Sequence, residues 1–126
     1  MEPITDLRFH ENVRLDGDRL NRLIRNLNQN DAEDVICRTM AELGLQIDKC
    51  EQAHQKQDTA SLYQQVSVVS KTAGQLGMTK LQGIADHVMH AMVQSDPAAT
   101  AATLARLIRI WDLSLCAVWD VKGPHA

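Results

Sequence analysis

Residues 67–78 read S-V-V-S-K-T-A-G-Q-L-G-M. Val69, Ala73 and Leu76 recur at steps of four and three, the spacing of one face of an α-helix. Extended backwards, the stripe takes in Val66 and Leu62, and Asp58 stands where a helix start would be capped. At 100° per residue, Tyr63, Ser67, Ser70, Lys71 and Gly74 fall on the opposite side. The segment predicts a helix with a buried apolar stripe and a small, polar, glycine-containing outward face, broken at Gly77.

Working outward, the same period recurs on both sides. Leu20, Leu23, Ile24 and Leu27 predict a short helix capped by Asp16 or Asp18, with Arg19, Arg22 and Arg25 outward. Asn30 or Asp31 is the expected cap of a longer helix whose seam is Ile36, Met40, Leu43, Ile47, Cys50 and His54. Beyond Gly77, Leu81, Ile84, Ala85, Val88 and Met92 share a face. Ser95-Asp96-Pro97 is a start signal, a capping side chain followed by proline at the first helical position. Ala101, Leu104, Ile108, Trp111, Leu115 and Val118 then predict a last helix, closed by Gly123-Pro124. Short connections make sequential helices antiparallel neighbours. The expected fold is all-α: an up-down-up-down antiparallel four-helix bundle with an additional short N-terminal helix. Residues 1–12 form an arm, 13–122 the bundle and 123–126 a tail.

Composition agrees with one helical domain. The chain has 126 residues, 44% of them hydrophobic but only 3% aromatic, and residues 4–96 contain no proline. Thirteen basic against 16 acidic side chains give a net charge of −3, without the basic field that nucleic-acid binding requires. No apolar run is long enough for a membrane span and no signal-peptide segment opens the chain, so a cytoplasmic protein is expected. Cys37, Cys50 and Cys116 are widely spaced and predict buried reduced thiols. His87 and His90 are three apart, but third and fourth ligands are wanting, so no metal or other cofactor is expected. Trp111 and Trp119 read as packing residues.

The central segment, in this order of helices, resembles a histidine phosphotransfer (Hpt) domain over about residues 13–120. The family motif H-x-[LI]-K-G-x-x-x-x-[LVF]-G-x-x-x-L lies on the chain without a gap. Val69 and Leu76 then occupy the apolar positions, Gly77 the second glycine and Leu81 the final leucine. Three positions depart from it: Ser67 stands at the phosphoacceptor histidine, Ser70 at the lysine and Lys71 at the adjoining glycine.

The departures bear on chemistry. A neutral imidazole nitrogen is a competent nucleophile near pH 7, and its phosphoramidate can pass the phosphoryl group onward. A serine hydroxyl needs a general base, and its phosphate ester is too stable to transfer. The resemblance therefore implies a degenerate member, not an enzyme, that binds a response-regulator receiver domain or a histidine kinase without carrying phosphate. Its expected partner contacts are Tyr63, Ser67, Ser70, Lys71, Gly74 and Gln75. Two alternatives stand beside it: an active phosphotransfer protein using His54, His87 or His90, and a helical interaction module unrelated to signalling.

Overall fold

The computed structural model describes residues 17–25 and 27–122, with side chains described as far as Leu115. Expectations for the arm at 1–12, for Asp16, for the tail at 123–126 and for the side chains of Cys116, Val118 and Trp119 lie outside the described residues. Five helices account for nearly everything else: α1 Gly17–Ile24, α2 Gln29–Gln55, α3 Thr59–Gln75, α4 Thr79–Val93 and α5 Pro97–Lys122. No strand occurs among the described residues. Packing follows chain order, α2 on α3, α3 on α4 and α4 on α5, while α1 lies against α2 and α3. The two outer long helices, α2 and α5, also touch. There a Cβ on Gly44 would come within 3.2 Å of the Trp111 ring.

The apolar stripes of the central helices are buried. Leu62, Val66, Val69, Ala73 and Leu76 of α3 join Met40, Leu43, Ile47 and Cys50 of α2 and Leu81, Ile84, Ala85 and Val88 of α4 in one core. The last helix follows expectation at Leu104 and Trp111 and departs from it elsewhere. Ala101 and Leu115 are exposed, Ile108 is half-buried, and the buried side is Thr100, Leu104, Leu107, Ile110, Trp111 and Ser114. Residues 107–111 (L-I-R-I-W) supply apolar groups to more than one side of the helix, so periodicity admits two faces and contact with α4 and α2 selects one. Gln46 Oε1 and Ser114 Oγ are buried without a hydrogen-bond partner among the described residues.

Three of the long helices start on a capping side chain, whereas α4 starts after Met78 without one, and Asp18, an expected cap of α1, lies inside that helix. The Asn28 side chain, not Asn30 or Asp31, caps α2 by accepting from the Asp31 N–H at 2.8 Å. Asp58 caps α3, accepting from the Ser61 N–H at 3.1 Å. Asp96 caps α5, accepting from the Ala99 N–H at 3.0 Å, with Pro97 at the first helical position.

The three turns between long helices are built alike. In each, one residue sits in the left-handed region: Gln57 at φ 58°, Gly77 at φ 75° and Ser95 at φ 53°. Its N–H returns to a carbonyl three residues back, and the next N–H reaches five residues back: Gln57 to His54 and Asp58 to Ala53, Gly77 to Gly74 and Met78 to Ala73, Ser95 to Met92 and Asp96 to Ala91. These bonds satisfy carbonyls that a helix end leaves open.

Only Gly77 adopts that conformation without a Cβ penalty. Gly77→Ala is therefore expected to lower stability by about 1 kcal/mol or more. Gln57→Gly and Ser95→Gly should each raise it by about 0.5 kcal/mol, the strain relieved less the added backbone entropy. Urea unfolding of the three variants checks both signs. At Gly44, a valine branch would be driven into Trp111, and Gly44→Val is expected to cost about 1–3 kcal/mol by the same measurement.

Candidate functional site

Helix α3 is packed by α2 on one side and α4 on the other, with α1 also against it. What remains open is a single strip. Tyr63, Gln64, Ser67, Val68, Lys71 and Gln75 are exposed along it. Ser67 stands near its middle, four residues from Tyr63 and four from Lys71, so the three side chains form one row along the helix surface.

Two expected members are placed differently. Ser70 is only 9% exposed, and its hydroxyl donates to Asp86 Oδ1 of α4 at 2.7 Å. It belongs to the α3–α4 interface, not to the outward face. At 100° per residue it lies about 60° round the helix from Ser67, on the side that α4 covers. Gly74 is half-buried: a Cβ there would fall 2.7 Å from Gln82 Nε2, so the amide of α4 lies directly over it. Gln82 Oε1 in turn accepts from Arg19 Nη1 of α1 at 2.6 Å. A glycine in α3 thus lets one amide side chain link three helices.

That link borders a depression of about 600 Å³ at one margin of the strip, with Arg19, Arg22 and Lys71 among its lining residues and no carboxylate among the described residues that line it. The outward face therefore passes from aromatic at Tyr63, through the Ser67 hydroxyl, to a cationic edge. Arg22, Val68 and Gln64 are absent from the contact set read from the sequence. Val68 had a legible signal, because of the adjacent pair Val68-Val69 only one can share the buried stripe. The position of Arg22 beside Lys71 had none, since it depends on how α1 docks.

As for chemistry, α3 contains neither histidine nor carboxylate from Thr59 to Gln75, so no general base for Ser67 comes from its own helix. The histidines lie elsewhere. His54 is half-buried at the end of α2, and exposed His87 and His90 on α4 line a cleft shared with Asp96 and Thr103 of α5. Among the described residues no three His, Cys, Asp or Glu side chains are grouped to hold a metal ion. Among the described residues no helix is long and apolar enough to cross a membrane.

The thiols also separate. Burial pushes the Cys50 thiol up to about 12, whereas Cys37 is exposed, against the expectation that it is buried. No family model, curated protein or solved structure matches the chain.

A maleimide is expected to modify Cys37 rapidly and Cys50 only after unfolding, because a buried protonated thiol is neither accessible nor nucleophilic. Peptide mass mapping distinguishes the sites. The Asp58 cap gives a second expectation. Hydrogen bonds from the Ser61 hydroxyl, then from its N–H, hold the Asp58 carboxyl below its usual range. Its contribution is present above the unfolded pKa and lost as pH falls through the folded one. Asp58→Asn should make the acid limb of unfolding shallower, measured by urea titration from pH 7 to pH 2.

Proposed function

We propose that this chain is a degenerate Hpt protein, an up-down-up-down antiparallel four-helix bundle with α1 as its additional short helix. It acts in the cytoplasm by binding a receiver domain or histidine kinase without carrying phosphate. The observation that supports this most is the exposed strip on α3 with Ser67 near its centre. In the resemblance, that is where an acceptor histidine would meet its partner. Val69, Leu76 and Leu81, the apolar positions of the motif, are core residues, and Gly77 is the turn between α3 and α4. The positions that keep the motif are thus ones a bundle needs. Of those that depart from it, Ser67 and Lys71 are exposed on the strip, and Ser70 is turned inward to Asp86.

The chemistry of the strip favours binding over transfer. A hydroxyl without a base on its helix is a poor phosphoacceptor. Lys71, with Arg22 beside it, offers positive charge to an acidic partner surface, which speeds encounter and selects against basic partners.

The test is binding of the receiver and kinase domains of the source organism to the intact chain by calorimetry. One or more should bind, with affinity that falls as salt rises, and Lys71→Glu should weaken binding about tenfold. If no such domain binds above background, the reading is overturned in favour of an unrelated interaction module. Incubation with a phosphorylated receiver should leave the wild-type chain without acid-labile label. Label that disappears on His54→Ala, His87→Ala or His90→Ala would instead make it an active phosphotransfer protein. Ser67→His is expected to gain label where binding is retained, and Ser70 is best left in place for its bond to Asp86.

A further inference from the structure

At the end of the molecule where α2 gives way to α3 and α4 to α5, the two turns 56–58 and 94–96 face one another across a cavity of about 790 Å³. Ala53, Leu62, Met92 and Pro97 give it an apolar side, and the rest of its lining is polar, with Asp58 and Asp96 among it. The volume falls in the range of small-molecule pockets.

The cavity has a local cause. In the third turn, at 76–78, the residue after the left-handed position is Met78, which is 2% exposed and fills the core beneath it. That is the usual partner of this turn, an apolar side chain folded back on the helix it leaves. In the other two turns the same position holds Asp58 and Asp96, and both carboxylates turn away from the core to cap the next helix. The two ends of the core between these turns have no such plug. Both turns also keep a non-glycine residue, Gln57 or Ser95, in the left-handed region that glycine occupies at position 77. Backbone strain of this kind collects at ligand sites.

The charge at this end selects the ligand. Two helix starts and two helix ends meet here, so their partial charges oppose one another in pairs. The two carboxylates remain, each accepting from the N–H that it caps and Asp58 also from the Ser61 hydroxyl, while His54 contributes a ring to the wall and Lys56 lies beside Asp58.

We propose that this cavity binds a small organic cation, an amine or guanidinium on an apolar body. The apolar body takes the space that Met78 fills in the third turn, and the cationic group lies between Asp58 and Asp96. This site is separate from the α3 strip and does not depend on the receiver-binding reading.

The probe is phenethylamine, titrated at pH 7.5 into the full isotope-labelled chain and followed by backbone amide shifts. Shifts should concentrate at residues 53–62 and 92–100, with affinity about tenfold or more above that of phenylacetate or methylamine. Asp58→Asn with Asp96→Asn, in which the asparagine oxygen still caps each helix, should erase the preference for amine over carboxylate. The two single variants, each expected to lose part of that preference, serve if the pair fails to fold. The proposal is overturned by shifts centred elsewhere, by no saturable shift up to the solubility of phenethylamine, by equal binding of phenylacetate, by equal binding of methylamine, or by a preference unchanged in the asparagine variants.

Discussion

A helix ends with carbonyls that have no partner in the helix, and a short chain reversal must satisfy them without breaking the packing on either side. Here all three reversals between long helices use the same pair of backbone hydrogen bonds and the same single left-handed residue. Because the bonding scheme is shared, the turns differ chiefly in the side chain at their last position. Met78 enters the core, whereas Asp58 and Asp96 leave it to cap the following helices. Met78 fills one end of the core, and at the other end the two carboxylates line a cavity above it.

Enclosure of α3 is the second constraint. A helix packed by neighbours on two sides keeps only one strip of surface, and whatever contact it makes outside the fold passes through that strip. Its edge on the α4 side is set by polar contacts: Ser70 is drawn to Asp86, and Gly74 admits Gln82, which reaches Arg19. A row of residues that looks outward on an isolated helix is thereby narrowed on one side. It is extended on the other to Gln64 and Val68.

The helices and most of the core were legible because apolar spacing near 3.6 residues survives in α2, α3 and α4, where stripe and polar face are distinct. Asp58 and Asp96-Pro97 were legible for a local reason, since a cap acts within three residues. The face of α5 was not, because its apolar residues fit more than one side and only its neighbours choose. Asn28 was passed over for Asn30 and Asp31 in a run where several side chains satisfy the same rule. In the candidate site, Tyr63, Ser67, Lys71 and Gln75 are on the exposed side as expected, while Ser70, only about 60° round the helix from Ser67, lies where α4 covers it, and periodicity does not say where that cover begins.

For Ser67 to Met78, the amino-acid sequence by itself determined that a helix with an apolar stripe runs to a glycine break and carries Ser67 and Lys71 on its polar side. Those are properties of spacing and residue type, which act locally. Only the tertiary structure decided that Ser67 and Lys71 share an open strip while Ser70 does not, that Arg22 joins Lys71 at its edge, and that a cavity opens between Asp58 and Asp96. Each of these depends on which neighbour covers which side of a helix, a relation between residues far apart in the chain that no local pattern contains.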